Sequence, residues 1–98
     1  MSSKSVSVVI LNYNGQKHLG KILKNCLESV LNTTYLNFEV LFVDNASIDG
    51  SIDFVRRNFG NDPRMRIIQN EQNLGFAEGN NRGINNSKGE YIALLNNA

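Results

Sequence analysis

The feature that most constrains the fold is the segment Phe38–Gly50, FEVLFVDNASIDG, in which an apolar run stops abruptly at an acidic residue. Val40–Val43 is short and unbroken, which is typical of a strand buried on both faces, as in a parallel sheet. Small and polar residues follow Asp44 and favour a turn, and Asp49 is a candidate N-cap for a helix after it. The segment predicts a strand, a polar loop and a helix.

The same alternation extends along the chain. Apolar runs predict three further strands at Val6–Leu11, Met65–Gln69 and Tyr91–Leu95. Apolar residues at spacings of three and four predict helices over residues 19–31 and 52–59, and a short third helix is expected over residues 77–86, entered through Leu74–Phe76. Strands that alternate with helices imply parallel pairing and right-handed crossovers. We therefore predict a three-layer α/β domain, with a four-stranded, mostly parallel sheet and helices on both of its faces.

Composition limits the classes of function. A chain of 98 residues suffices for one small domain, spanning residues 1–98. A formal net charge of +1, with 19% charged residues and no block of like charge, argues against nucleic acid as a partner. The single cysteine, Cys26, excludes an intrachain disulfide and a cysteine-built metal site. The sequence has no apolar run long enough to span a membrane, so we expect a reducing, cytoplasmic setting.

Each predicted strand ends in small polar residues, and the carboxyl ends of parallel strands share one edge of a sheet. These residues are Asn12, Asn14, Asp44, Asn45, Asn70, Asn96 and Asn97. Such an edge can hydrogen-bond a base and a ribose, and its backbone amides suit phosphate. The alternative is that these residues only cap turns, and composition leaves both open. We expect Asp44, just past its strand, to be incompletely buried.

Two familiar nucleotide motifs are absent. No G-x-G-x-x-G follows the first strand, which argues against a dinucleotide oxidoreductase. No G-x-x-x-x-G-K-[ST] occurs, which argues against a P-loop enzyme. The glycine-rich segment Gly75–Gly83 follows the third predicted strand instead.

Four segments together resemble a known family. In order they are VSVVILNYNG, CLESVLNTTYLNFEVLFVDNASIDGS, NLGFAEGNNRGI and GEYIALLNN. In this order and spacing they resemble the amino-terminal half of the family 2 glycosyltransferases, which have the Rossmann-like GT-A fold. The VDNAS form is similar to the branch with rhamnosyl- and galactofuranosyltransferase-like proteins. The resemblance covers nearly the whole chain.

The resemblance implies a nucleotide-sugar donor, a UDP- or dTDP-sugar, and a set of residues around it. The implied donor-binding residues are Leu11, Asn12 and Asn14 near the nucleoside, Asp44 and Asn45 at the base and ribose, and Gly75, Phe76 and Asn81 flanking the nucleotide. The second member of the acidic pair is often Asp in the family, so Asn45 is expected to shift the base preference.

The resemblance also implies a divalent metal, Mg²⁺ or Mn²⁺, and a sugar transfer to an acceptor hydroxyl. Asn96 and Asn97 fall at the family's metal motif, but Ala98 stands at its acidic position, which predicts weak metal binding. The family's catalytic base comes from the second half of the domain, so no catalytic residue is assigned here. We expect the chain to be inactive alone and to self-associate through surface that the second half would cover. In the full-length protein, peripheral contact with a membrane is expected.

Two other classes of function stay open at this point. One is a nucleotide-binding module without catalysis, and the other is a structural α/β domain in which the resemblance is vestigial. Nucleotide titration separates the structural domain from the other two. Sugar transfer after addition of a carboxyl-terminal half separates the enzyme from the module.

Overall fold

The computed structural model describes residues 5–13, 21–32 and 37–96, and within them four strands alternate with three helices. The strands are β1 (Val6–Asn12), β2 (Phe38–Asp44), β3 (Met65–Gln69) and β4 (Tyr91–Asn96). The helices are α1 (Lys21–Leu31), α2 (Ser51–Phe59) and α3 (Gly75–Asn86). The predicted order βαβαβαβ is confirmed. Three of the strands, β1, β2 and β4, extend one residue beyond the predicted apolar run, so their last residues are polar.

The four strands form one parallel sheet in the order β3-β2-β1-β4. In the register, Asn12 pairs with Asp44, Asp44 pairs with Gln69, and Leu11 pairs with Asn96. Because every strand runs the same way, their carboxyl ends meet at one edge, called the carboxyl edge below. The predicted parallel sheet and the shared edge are both confirmed.

One face of the sheet packs against α1 and α2. Its buried cluster joins Ile10, Phe38, Val40 and Phe42 of the strands to Leu27, Ile52 and Val55 of the two helices. Burying each large side chain contributes about 1.5–3 kcal/mol. Cys26 packs against this cluster, and burial raises the pKa of its thiol, so the residue acts as a small apolar group rather than a reactive one.

The other face packs against α3, which approaches the sheet closely. Val9, Leu11, Leu41 and Val43 form the buried cluster on this face. A Cβ atom on Gly83 would lie 2.4 Å from Cγ1 of Val9, so only a glycine fits at this point of the helix. Helices therefore lie on both faces of the sheet, which confirms the predicted three layers.

The start of α2 differs slightly from the prediction. Gly50, with φ 87°, occupies the N-cap position, where Asp49 was expected. The left-handed backbone suits glycine, which has no Cβ. Asp49 still contributes, because its Oδ1 accepts hydrogen bonds from the N–H of Ser51 at 3.0 Å and from its hydroxyl at 2.6 Å.

A polar cluster joins three strands and the α3–β4 turn at the opposite, amino-terminal edge. The Glu39 carboxylate accepts hydrogen bonds from the Ser7 hydroxyl (2.6 Å), the Lys88 N–H (2.7 Å) and the Arg66 guanidinium (2.9 Å). The Ser7 hydroxyl also accepts one from the N–H of Gly89, at 2.8 Å. Partial burial raises the pKa of Glu39, but these three donors outweigh it and hold that pKa below its ordinary value.

β4 lies at the edge of the sheet with an uncharged and largely uncovered surface. Tyr91, Ile92, Leu94 and Leu95 are all exposed, although the strand is parallel and apolar on both faces. Parallel strands of this kind are normally covered on both faces. Within the described residues, β4 therefore presents apolar surface to its surroundings.

Candidate functional site

The carboxyl edge brings together the polar ends that follow three strands. The backbone N–H of Asn45 donates to the Asn12 carbonyl at 2.8 Å, and the N–H of Asn70 donates to the Asp44 carbonyl at 2.9 Å. The ladder hydrogen bonds thus continue one residue past β2 and β3. This continuation fixes the polar residues relative to one another.

Asp44, the last residue of β2, lies at the centre of this group. Its Oδ1 accepts hydrogen bonds from Asn12 Nδ2 (2.9 Å) and Ser47 Oγ (2.6 Å), and its Oδ2 accepts one from the Ser47 N–H (2.8 Å). In the chain between Asp44 and Ser47, Ala46 adopts a left-handed φ of 62°. That conformation costs a non-glycine residue about 1–2 kcal/mol, and it belongs to the loop that turns Ser47 back onto the carboxylate.

The expectation that Asp44 is incompletely buried is wrong. Its relative exposure is 0%, as is that of Asn12. Burial of a carboxylate without partners is costly, and the three donors from Asn12 and Ser47 compensate for the lost water. Asp44 holds the Ser47 loop against the end of β1.

Asn45 connects the same edge to the loop between β3 and α3. Its Oδ1 accepts a hydrogen bond from Asn70 Nδ2 at 2.8 Å and a longer contact from the Leu74 N–H at 3.5 Å. Its Nδ2 donates to the Gly75 carbonyl at 3.0 Å. Both ends of this amide are therefore engaged by one loop.

Four of the remaining predicted residues lie on α3 or beneath it. Gly75 begins α3 with a φ of 81°, and its N–H donates to Asn73 Oδ1 at 2.9 Å. Phe76 is 61% exposed, and Asn81 is exposed one turn further along the helix. Leu11 is buried beneath α3, against the position of Gly79.

Some predicted residues cannot be placed. Asn14, Asn97 and Ala98 lie outside the described residues. The backbone of Asn96 ends β4 at the carboxyl edge, opposite Leu11, but its side chain is not among those described.

Sequence reasoning did not assign Ser47 and Gly79 to the site, and it placed Asn70 at the edge without its contact to Asn45. A serine three residues after an aspartate is a recognisable turn pattern, so Ser47 had a local signal. The contact of Asn70 with Asn45 joins residues that are 25 positions apart, and no local pattern indicates it.

Open space lies beside the ends of β2 and β3. One cavity of about 530 Å³ is lined by Ala46, Ser47, Ile48, Gln69, Asn70 and Glu71. A second, of about 670 Å³, is lined by Ile68, Gln69, Asn70, Glu71, Gln72, Leu74 and Arg82. Both volumes fall in the range of small-molecule sites. Their walls offer amide, carboxylate and backbone groups for hydrogen bonding.

A divalent metal does not fit the described residues well. Among residues 5–13, 21–32 and 37–96, the structure has no group of three or more His, Cys, Asp or Glu that could hold an ion. The stretch that ends β4 continues as Asn97 and Ala98, so it adds amides but no carboxylate. Hard cations such as Mg²⁺ and Mn²⁺ prefer sites with carboxylate oxygens.

Comparison of sequences identifies the relatives of this chain. The sequence model described as Glycosyl transferase family 2 matches residues 7–97. Glycosyltransferase GlyG of Streptococcus pneumoniae serotype 4 is 38% identical over 93 residues, which cover 95% of this chain and 30% of that protein. The chain thus spans less than a third of this relative's length.

Solved structures share the fold at lower identity. The mannosyltransferase PcManGT from Pyrobaculum calidifontis, in complex with GDP-Man and Mn²⁺, matches with a TM-score of 0.85 at 22% identity, over 98% of this chain and 28% of that one. S. aureus TarS in complex with UDP matches with a TM-score of 0.80 at 24% identity, over 95% of this chain and 27% of that one. At these identities the likeness shows the fold.

The helices α1, α2 and α3 are 11, 9 and 12 residues long. In the part of the chain that the structure describes, none of them has both the length and the apolar character needed to cross a bilayer.

Proposed function

Because this chain belongs to glycosyl transferase family 2, we propose that it is the donor-binding half of a GT-A glycosyltransferase domain. In the proposed reaction, an acceptor hydroxyl attacks the anomeric carbon of a nucleotide-diphosphate sugar. The bond from that carbon to the diphosphate breaks, and a base takes the proton of the hydroxyl. The base belongs to the part of the domain that follows these residues, so the chain alone is inactive.

One observation supports the proposal above the others: the polar ends of β1, β2 and β3 form one hydrogen-bonded group at the carboxyl edge. In open parallel sheets, ligands bind beyond the carboxyl ends of the strands. A ligand there would lie over the buried residues Asn12, Asp44 and Asn45, called the floor of the site below, which hydrogen bonds already hold in place. Little of its binding energy would then be lost in ordering that floor.

The residues of the edge would serve the nucleotide in two ways. Asn12, Asp44 and Asn45 are buried, so their proposed contribution is to shape the floor and to hold the loops above it. Phe76 and Asn81 are exposed on α3 and are proposed to flank the nucleotide. The donor is proposed to be a UDP- or dTDP-sugar, since a neighbour with the same fold is solved with UDP.

We propose that a divalent metal, Mg²⁺ or Mn²⁺, binds only weakly to the end of β4 in this chain. A neighbour of the same fold is solved with Mn²⁺, which would offset charge on a departing diphosphate. In this chain Asn96 and Asn97 offer neutral oxygens, and Ala98 offers none. No step of the proposed reaction is assigned to a metal held by these residues.

The uncovered strand β4 supports the proposal that the chain associates with other copies of itself. As a separate 98-residue chain it would self-associate, because an exposed apolar edge strand pairs readily with another copy. A monomer at millimolar concentration in sedimentation experiments would contradict this. A cytoplasmic location, with peripheral membrane contact in the full-length protein, is proposed from the absence of a second cysteine and of a spanning run.

Nucleotide titration followed by nuclear magnetic resonance tests the proposed site. We expect UDP and dTDP to bind weakly, with a Kd near ~1 mM, equivalent to about −4 kcal/mol. The amide signals of Asn12, Asp44, Asn45 and Gly75 should shift, while those of Glu39 at the opposite edge should not. Shifts confined to the opposite edge would place the ligand elsewhere.

The same titration separates the alternative classes. Absence of any nucleotide binding would favour the structural α/β domain, for which the complete burial of Asp44 is a specific argument. If nucleotides bind, the chain is extended by the carboxyl-terminal half and assayed for sugar transfer. Binding without transfer by the extended, folded protein would favour the non-catalytic module.

A further inference from the structure

Asn45 stands at the position for which the family resemblance implies contact with the base and ribose, yet its side chain lies beneath α3. It is only 2% exposed. A Cβ atom on Gly79 would lie 2.7 Å from Asn45 Nδ2, so the backbone of the helix rests directly over the amide. A nucleotide above the carboxyl edge could touch this amide only if α3 moved away.

The chemistry of the contacts requires an amide at this position. Asn70 Nδ2 and the Leu74 N–H are both donors, and they need an acceptor, which Oδ1 supplies. The Gly75 carbonyl is an acceptor and needs a donor, which Nδ2 supplies. An aspartate could serve the two donors but would place a carboxylate oxygen against the Gly75 carbonyl.

The other hydrogen bonds described for the segment that Asn45 holds are local. Leu74 occupies the N-cap of α3 without a capping hydrogen bond from its side chain. Gly75 adopts a left-handed backbone conformation, and its N–H is held by Asn73 from within the same loop. Asn45 provides hydrogen bonds between this segment and the sheet, and its own N–H donates to the Asn12 carbonyl of β1.

We propose that Asn45 is a positioning residue, which fixes the Leu74–Gly75 segment and the start of α3 against the carboxyl edge and does not contact the nucleotide. The inference rests on the proposed function, since it concerns the same edge. A positioning residue changes the fraction of molecules in the binding-competent arrangement. The apparent Kd then changes by the same factor for every nucleotide that uses this edge. A residue that reads the base changes the ratio of the Kd values instead.

The variant Asn45→Asp distinguishes the two roles. It keeps the shape of the side chain, replaces the donor to the Gly75 carbonyl with an acceptor, and adds a negative charge. We expect the Kd values for UDP and GDP, measured by calorimetry, to rise together by about tenfold, the factor equivalent to 1.4 kcal/mol. Hydrogen exchange at the Leu74 and Gly75 amides should accelerate. Asn85→Asp, the same change on the exposed side of α3, should alter neither measurement.

A pH profile gives a readout that loss of packing would not produce. A protonated aspartate has an O–H donor, so the neutral form of Asp at position 45 can again serve the Gly75 carbonyl. The contacts described for this position include no other ionisable side chain. The Kd of Asn45→Asp, divided by that of the wild type at the same pH, should therefore fall as the pH is lowered from about 8 to about 5.

Three results would overturn the inference while leaving the proposed function standing: a changed ratio of the UDP and GDP Kd values, unchanged Kd values, or a Kd ratio to wild type that does not respond to pH. A wild type that binds neither nucleotide would overturn the proposed function, and this inference with it. If Asn45→Asp does not fold, Asn70→Ser removes a partner of the same amide. It should weaken both nucleotides equally, and a selective effect would contradict the inference.

Discussion

Replacing Asp44 by asparagine should destabilise the domain, because no orientation of the new amide satisfies the three donors around it. With its NH₂ in place of Oδ2, the amide faces the Ser47 backbone N–H, which cannot turn away. With its NH₂ in place of Oδ1, it faces Asn12 Nδ2. Either way one of the three donors loses the acceptor that the carboxylate provides, at a cost of about 1–3 kcal/mol, and for Asn12 Nδ2 the Ser47 Oγ at 3.3 Å replaces that acceptor only in part. The remaining hydrogen bonds also lose their charge assistance, and relief of the buried charge partly offsets this loss.

Urea denaturation of the wild type and of Asp44→Asn measures this cost. We expect the free energy of unfolding to fall by about 1–3 kcal/mol at constant m-value, a large share of the stability of a small domain. Asp53→Asn is the matched control, since Asp53 is exposed in the first turn of α2, and the change should cost at most about 1 kcal/mol. If Asp44→Asn were as stable as the wild type, the buried network would contribute nothing, and Asp44 would be free to serve a ligand.

Three further outcomes are expected elsewhere in the molecule. Because the pKa of Glu39 is depressed in the fold, its carboxylate stabilises the fold at pH values above the ordinary pKa of the unfolded chain. This contribution is lost as the pH falls through the pKa of the folded state. The stability advantage of the wild type over Glu39→Gln in urea should therefore shrink on acidification, and a constant difference would contradict the assignment. Gly83→Ala should cost about 1–3 kcal/mol in urea denaturation through its clash with Val9, while Asn85→Ala on the exposed side should be neutral or stabilising. Ala98→Asp should make UDP binding more Mn²⁺-dependent by calorimetry, and an equal manganese effect in the wild type would show that position 98 is not a metal ligand.

The strands were predictable because burial on both faces leaves a simple mark in a sequence. Val40–Val43 has no polar residue because neither face of β2 meets water, and the observed strand contains this run. The polar residues at the strand ends were predictable as a group for a related reason. Parallel strands must bring such ends to one edge, whatever the details of their side chains.

The burial of Asp44 was not predictable from its local sequence. A charged residue after an apolar run looks like the first residue outside the core. Its burial depends on Asn12, which is 32 positions away in the chain and supplies one of its donors. Whether such a partner arrives with the right geometry depends on the strand register, which only the folded sheet defines.

The glycine-rich segment shows a second limit of sequence reasoning. Glycines near a strand end suggest backbone that wraps a phosphate. Gly79 and Gly83 instead lie one turn apart on the buried side of α3, where they allow the helix to approach Leu11 and Val9. Close packing and phosphate binding both favour glycine for the same reason, the absence of a Cβ. Composition cannot tell these uses apart.

The strand order has a consequence for how the chain reaches this fold during synthesis. β1 is made first yet lies between β2 and β4. Its pairing with β2 joins Asn12 to Asp44 across 32 positions, whereas its pairing with β4 joins Val6 to Tyr91 across 85. Closing the longer loop costs about 0.9 kcal/mol more in chain entropy. At a translation rate of about 5–20 residues per second, one side of β1 stays unpaired for roughly 3–10 s after β2 is complete. A nascent chain is therefore prone to mispairing through β1, a strand that the finished sheet pairs on both sides.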